Sequence, residues 1–455
     1  MRIILMTDTF YPYIDGIVTF LKSISIELGK NGHQVLILSP KYSKNGENDE
    51  IDLGENVKVI RIESVKLLNY ENFKFSKLKF LKVEKIIKNF KPDVIHIQTP
   101  APMGIMGGMI AKKNKIPCIG TYHTYLPDFV QCISPKNFIN WEKIKSNHKK
   151  MKNKSDFLYV LINPIIKIFE KESLSKKDYD KKKLINLVVW TYTNSIYNQC
   201  DLVTTPTQVL VDDLKKHKLK RPIYPISNGL DLTTFSPKEN YDFKGKFLHV
   251  GRISFEKEID ILIKSFAIAQ KNYEYITLDI YGDGPALNEL KLLVKNNDYE
   301  NVIFHGRVPR EDLPKIYREH DVFLTSSPIE TQGLVAIEAA SCGLPLIGVN
   351  RLGIKEAIEN GKNGYLVKVQ DTRDFSKAIK LIIENKDKIE SMGNKSVLMA
   401  KDHDFKIVYK KFEDLYEYAK DIKSRKLKKV KKIKSNQKNK KLIKINKKDL
   451  KRIKN

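Results

Sequence analysis

Cysteine is scarce in this chain, with four residues among 455. Cys118, Cys132, Cys200 and Cys342 stand far apart, form no C-x-x-C pair and have no histidine at metal-ligand spacing. That pattern speaks against a disulfide framework and against a bound metal, and it reads as reduced thiols in a cytosolic protein. Long apolar runs are also missing. No segment supplies the ~20 apolar residues that cross a bilayer, so the chain reads as non-integral. The opening run Met1-Arg2-Ile3-Ile4-Leu5-Met6-Thr7-Asp8 is too short to be a secretion leader and reads as a first β-strand. Recognition signatures for nucleic acid are lacking as well: no RNP or KH motif accompanies the many basic residues.

What is present is length, apolar content and positive charge. At 455 residues the chain exceeds one ordinary core, which points to two domains of about 200 residues each. A hydrophobic content of 41% is enough for both to be globular. The net charge is +28, and it is unevenly placed: residues 423–454 hold seventeen Lys/Arg against one Asp. A bias toward Ile, Asn and Lys throughout accounts for scattered lysines but not for a clustered tail. A concentrated positive patch calls for an anionic partner, either a nucleic acid or the anionic face of a membrane.

Residues 1–125 alternate strand and helix patterns. Strands are expected at Arg2–Met6, Gln34–Leu38, Val57–Ile62, Val94–Ile97 and Cys118–Thr121, with helices at Thr19–Asn31 and Leu78–Asn89. This βαβ rhythm predicts a doubly wound α/β domain with a parallel sheet. Gly16 stands beyond the first strand, at a helix start, where such sheets bind ligands. Gly120-Thr121-Tyr122-His123-Thr124 follows another strand end, and Cys200–Thr207 reads as the last strand of this half. A second βαβ series opens with Phe247-Leu248-His249-Val250-Gly251-Arg252-Ile253, followed five residues later by Lys257. It continues through Tyr281-Gly282-Asp283-Gly284-Pro285, Phe304-His305-Gly306-Arg307-Val308 and a buried strand over Gly343–Gly348.

The centre of the second series is Leu324-Thr325-Ser326-Ser327-Pro328-Ile329-Glu330-Thr331-Gln332-Gly333-Leu334-Val335-Ala336-Ile337-Glu338. A β-rich run feeds a small-residue loop, and Gly333 opens a helix of strong formers. That layout aims backbone N–H groups and a positive dipole end at an anion. At ~1.5 Å of rise per residue, Glu330 and Glu338 should lie about 8–12 Å apart, flanking the anion. A nucleotide sugar has that span, with a hexose at one end, a ribose at the other and a diphosphate between.

In this setting the glutamate pair resembles the E-x7-E signature of retaining glycosyltransferases of family 4, which have the GT-B fold. The matching motifs cover about residues 1–130 and 185–420, in family order. The resemblance implies two Rossmann-like domains facing across a cleft: 1–225 for acceptor and membrane, and 226–404 for the nucleotide sugar. A helix at 405–420 would cross back to the first domain. The amides of Gly16, Gly333 and Leu334 would approach the donor, and Arg252 with Lys257 would neutralise the diphosphate. Glu330 would hold a sugar hydroxyl, Glu338 would flank the donor's far end, and the turn at Gly306 would border the nucleobase. His123 would line the sugar pocket, and Asp128 is a candidate acceptor contact. No metal or other cofactor is implied, because two cations take the role that Mg²⁺ fills in other transferases.

The chain departs from the family pattern in three places. Glu258 stands where a glycine usually follows the lysine. Residues 131–190 form a basic insertion, and its last part runs into Leu184–Tyr197, where Trp190, Tyr192 and Tyr197 recur at helical spacing; the stretch suits either a lipid interface or extra helices over the first domain. Residues 421–455 form the Lys-rich tail. Glu330-Thr331-Gln332-Gly333-Leu334 with Tyr122-His123-Thr124 and the tail looks most like the glycolipid synthases that glycosylate diacylglycerol. The expected activity is hexosyl transfer from a nucleotide sugar, UDP-glucose or UDP-galactose, to a membrane lipid on the cytoplasmic face. The alternatives are a phosphatidylinositol, lipopolysaccharide or polyprenyl acceptor and, more remotely, a nucleic-acid-binding protein with a degenerate sugar site.

Overall fold

The computed structural model describes residues 1–13, 15–43, 50–66, 74–127 and 181–425. Asp128, most of the 131–190 insertion and residues 426–455 lie outside the described residues.

Two parallel sheets organise the chain. The first runs β3-β2-β1-β6-β7-β8-β9, from β1 (Arg2–Met6), β2 (Gln34–Pro40), β3 (Val57–Ile62), β6 (Val94–Ile97), β7 (Cys118–Thr121), β8 (Leu202–Thr205) and β9 (Ile223–Pro225). A small antiparallel pair, β4 (Ser64–Lys66) with β5 (Lys74–Ser76), stands apart from it. The second sheet runs β12-β11-β10-β13-β14-β15. Its strands are β10 (Lys246–Val250), β11 (Thr277–Tyr281), β12 (Val302–Gly306), β13 (Val322–Thr325), β14 (Leu346–Val349) and β15 (Gly364–Val367). Inner strands such as β6, β7 and β13 are buried at every residue, as expected when helices cover both faces of a parallel sheet.

Each sheet has a switch point where the strand order reverses, between β1 and β6 and between β10 and β13. Ligands of open α/β sheets bind in the crevice outside the carboxyl ends of strands at such points. The loops leaving β1, β7, β10 and β13 carry Gly16, His123, Arg252 with Lys257, and Glu330. The topology thus supplies the candidate residues from four strand ends.

A final helix over residues 405–425 leaves the second half and packs on the first. Val408, Phe412, Leu415, Tyr416 and Ala419 join Ile3, Leu5, Phe20 and Leu21 in one core. Polar contacts fix its register: Tyr416 Oη lies 2.9 Å from His96 Nδ1, and Glu413 Oε1 lies 3.1 Å from His33 Nε2. Lys423 Nζ reaches Asp201 at 2.7 Å.

Two expectations are corrected, and one that stood between two alternatives is decided. The last strand of the first sheet is the edge strand β9, not the Cys200–Thr207 segment; β9 is only three residues long, too short for a period to show. The first helix spans Gly16–Lys30, three residues earlier than its apolar pattern suggests, because the Asp15 carboxylate accepts from the Val18 N–H at 2.7 Å and caps it there. The aromatics of the Lys181–Tyr197 helix do not face a lipid interface. Trp190 stacks on His217 with centroids 3.8 Å apart, and the fully buried Tyr197 donates from its hydroxyl to Thr121 O at 3.0 Å. This helix caps the first domain instead.

Candidate active site

Gly333 adopts φ +76° at the start of the Leu334–Ser341 helix. A Cβ there would come within 2.6 Å of Ile354 Cδ1, so the left-handed turn and the close packing both require glycine. The turn fixes the preceding loop. The carbonyl of Glu330 accepts from Gly353 N at 2.8 Å, and Ser326 Oγ donates to Lys257 O at 3.0 Å, joining the β13 and β10 loops. Lys257 Nζ then donates to Glu330 Oε1. Burial works to raise the Glu330 pKa, but the Lys257 charge and hydrogen bond outweigh it and hold the carboxyl below its usual value. Glu330 is therefore an ionised acceptor, and Lys257 a cation held at the same point.

Arg252 lies in the turn after β10, with Nη2 3.6 Å from Glu256 Oε1. Its field reaches Asp15 at the head of the first helix, across the cleft. Glu258 takes φ +51°, the left-handed conformation in which a glycine would be unstrained; its Oε1 accepts from Gln370 Nε2 at 2.6 Å. Gly306 ends β12 at φ +74° and accepts from Gly282 N at 2.8 Å; no atom lies within 4 Å of where its Cβ would stand. Glu338 is buried, with Oε1 2.6 Å from Arg310 Nη2 and Oε2 3.0 Å from the Tyr317 hydroxyl.

The two halves meet at these elements. The Cβ position of Gly16 lies 3.5 Å from Leu334 Cδ1, so the β1 loop abuts the head of the Leu334–Ser341 helix. Thr331 Oγ1 donates to His123 O at 2.7 Å, and Thr207 Oγ1 donates to Thr331 O at 3.0 Å. Gln332 Oε1 accepts from Asn228 N at 3.0 Å, while its Nε2 donates to Ser227 Oγ at 2.5 Å. Ser227 Oγ also lies 2.8 Å from His403 Nδ1, just before the crossing helix. The donor loop is thus bonded to the first domain, to the junction and to the start of the final helix.

His123 is 6% exposed, with Nε2 2.8 Å from Gln98 Oε1. Gln98 presents a carbonyl oxygen, so the Nε2–H donates and Nδ1 carries the lone pair. Burial pushes the pKa of His123 down to about 3, so the ring is neutral at physiological pH. It can accept one further hydrogen bond at Nδ1 but brings no charge of its own.

Of the residues expected from sequence, Gly16, His123, Arg252, Lys257, Glu330, Gly333 and Leu334 lie on loops or helix starts after strands, Gly306 closes β12, and Glu338 lies in the second turn of the Leu334–Ser341 helix. Asp128 lies outside the described residues. Sequence reasoning missed Gln98, His249 and Arg310. Gln98 follows β6 in His96-Ile97-Gln98, and its place one strand from β7 is the only signal it offered. His249, inside β10, has Nδ1 2.9 Å from Leu324 O and feels both Lys257 and Glu330; burial lowers its pKa to about 4.

Two parallel-sheet domains, with Gly16 and a neutral His123 at strand ends of the first facing Arg252, Lys257 and Glu330 at strand ends of the second, define a GT-B glycosyltransferase. Known proteins agree. The Glycosyltransferase Family 4 model matches residues 14–234, and the Glycosyl transferases group 1 model matches residues 233–398. An α-monoglucosyldiacylglycerol synthase from Streptococcus pneumoniae is 28% identical over 362 residues, covering 76% of this chain and 70% of that protein. One from Acholeplasma laidlawii is 27% identical over 437 residues, covering 91% and 96%. Among solved structures, HepE from Anabaena in complex with UDP superposes with a TM-score of 0.63 at 16% identity, over 92% of this chain and 100% of HepE. The chain belongs to glycosyltransferase family 4 and is a retaining hexosyltransferase that uses a nucleotide-sugar donor.

Proposed function

We propose that this enzyme transfers glucose or galactose from the UDP-sugar to 1,2-diacylglycerol in a membrane, forming an α-glycosyl-diacylglycerol. The observation that carries this reading is the likeness to two α-monoglucosyldiacylglycerol synthases, which for one of them extends over 91% of the chain. Arg252 and Lys257 neutralise the diphosphate, with the amides of Gly16, Gly333 and Leu334 directed at its oxygens. Glu330 accepts from a sugar hydroxyl, Glu338 from the ribose, and the Gly306 turn borders the base. His123 faces the sugar. The acceptor hydroxyl attacks C1 on the face the diphosphate leaves, so the new C1–O bond replaces the C1–O–P linkage with retention. The acceptor proton passes to the departing phosphate oxygen. Charge neutralisation by two fixed cations makes a divalent metal dispensable in this scheme.

The described surface also favours a membrane partner. The Phe80–Phe90 helix exposes Leu81 (83% exposed) beside Lys82 and Lys85, with Lys77 and Lys79 at its approach. Lys77 and Lys79 are paired with Glu63, so the apolar side chain with Lys82 and Lys85 is the part that suits an anionic interface. Among the described residues, no helix is long and apolar enough to cross a membrane. We read the enzyme as a peripheral protein on the cytoplasmic leaflet, a reading supported by its likeness to membrane-lipid synthases.

The test is incubation with diacylglycerol vesicles and a panel of UDP-, GDP- and ADP-hexoses, read by product mass and by anomeric NMR. A single hexose added to diacylglycerol from a UDP-hexose, in the α configuration, is expected. Transfer to a phosphatidylinositol or polyprenyl phosphate, with none to diacylglycerol, would overturn the acceptor. An inverted product would overturn the mechanism.

A further inference from the structure

Arg310 has no role in the scheme above, yet it holds the innermost carboxylate of the site. Glu338 lies in the second turn of the Leu334–Ser341 helix, and its side chain is 1% exposed. One donor reaches each of its oxygens: Arg310 Nη2 at 2.6 Å on Oε1 and the Tyr317 hydroxyl at 3.0 Å on Oε2. A carboxylate offers about four lone-pair sites, so each oxygen can accept one hydroxyl more. Arg310 belongs to the turn that follows β12 and Gly306, and its guanidinium lies over the Phe235 ring at 5.2 Å. With 49% of its side chain exposed, it reaches inward from the surface while the carboxylate stays inside.

We propose that Arg310 is the positioning residue for ribose recognition. It fixes the Glu338 carboxylate so that both oxygens accept from the two ribose hydroxyls of the donor, and it ties that contact to the turn beside the nucleobase. The proposal rests on the reading of Glu338 as the ribose ligand.

Electrostatics give the contact a pH signature. Burial pushes the Glu338 pKa above its usual value, and Arg310, then Tyr317, oppose the rise. The other titratable group facing this cluster is Cys342 at the end of the same helix, with Arg318 beside it. Burial drives the Cys342 thiol up to about 12 and the Tyr317 hydroxyl well above its ordinary value, so both stay neutral. Arg310 is therefore the counter-charge in contact with the carboxylate. A carboxyl with a raised pKa is ionised above that pKa and loses its charge as pH falls through it. Removing Arg310 moves this loss to higher pH.

The experiment uses the full chain and calorimetric affinities for UDP, GDP and ADP and their 2′-deoxy and 3′-deoxy forms, from about pH 6 to about pH 9, well above the ordinary carboxyl range. Arg310→Met, Arg310→Lys and Glu338→Gln are compared with the native enzyme. Loss of either hydroxyl should weaken native binding roughly 10-fold or more, the scale of a hydrogen bond to a charged group. In Arg310→Met the preference for ribose should collapse at neutral pH and return toward the alkaline end. Arg310→Lys should retain it at neutral pH, with a profile shifted less. Unchanged ribose preference and pH profile in Arg310→Met, when Glu338→Gln has lost that preference, would overturn the role of Arg310. A lowered melting temperature with discrimination intact would also overturn it, as a merely structural role. If Glu338→Gln discriminates like the native enzyme, the reading of Glu338 itself fails, and the proposal falls with it.

Discussion

At the scale of single residues, the site is built from carboxylates and cations that neutralise one another until a donor arrives. Lys257 and Glu330 share a hydrogen bond, and each offers the donor a different partner: a cation for the diphosphate and an acceptor for the sugar. Glu330→Ala should remove most transfer at saturating donor while leaving the melting temperature near native, because the side chain packs no core. Near-native turnover in a well-folded Glu330→Ala enzyme would contradict this. Arg252→Ala and Lys257→Ala should each lower the rate on the order of 10²–10³-fold, the scale for one preorganised contact to developing charge, and activity should survive EDTA. Complete loss on chelation, restored by Mg²⁺, would show that the two cations are insufficient. His123 yields a pH prediction. A ring whose pKa is pushed to about 3 stays neutral across the neutral range, so kcat/KM should lack an inflection near pH 6.5, the ordinary imidazole value. Such an inflection, if abolished by His123→Asn, would mean the ring titrates in the working enzyme.

At the scale of elements, the sequence was most legible where periodicity and glycine punctuation coincide. Val57–Ile62, Val94–Ile97 and Cys118–Thr121 were readable to the residue, because short β-rich segments bounded by turns and helix patterns leave little choice of where each strand begins and ends. Less legible was anything decided by a partner distant in sequence. Trp190 and Tyr197 have the spacing of an interfacial helix, and only the neighbouring His217 and Thr121 turn that face inward. Arg310 reads as a surface residue in a polar turn until Glu338 is seen beneath it. Glu258 illustrates the opposite case, in which an unfavourable residue keeps a required backbone shape. A non-glycine side chain in the left-handed region costs about 1–2 kcal/mol, and the bond to Gln370 offsets only part of it. Glu258→Gly should leave kcat and donor KM close to native and raise stability by up to about 1 kcal/mol, measured by urea unfolding. Lower stability would mean the side chain's contacts outweigh the strain.

At the scale of the whole molecule, the two domains are joined by the donor loop, the junction and the final helix, and the third connection ends in the basic tail. Arg425 is the last described residue of the helix that packs on the first domain; seventeen Lys/Arg fall between residues 423 and 454. Leu427, Val430 and Ile433 recur among those lysines at helical spacing, the pattern of a basic amphipathic segment. The tail starts from the domain whose Phe80–Phe90 helix exposes Leu81 and its lysines, although that helix packs in the core with Ile4 and Met6 while the final helix packs in the core with Ile3 and Leu5. Each Lys/Arg near an anionic surface contributes about 1 kcal/mol, so a handful would be enough to recruit the enzyme under this proposal, and screening would make that recruitment salt-sensitive. The tail holds no donor residue. Truncation after Arg425 should therefore weaken co-sedimentation with anionic vesicles and lower activity on vesicle-borne acceptor. Donor hydrolysis and transfer to detergent-dispersed acceptor should persist. Reversing charge on the helix, with Lys82→Glu and Lys85→Glu, should add to the truncation if both elements meet the same membrane. Binding indifferent to anionic lipid, to salt and to both changes would place the basic charge elsewhere in the protein's work.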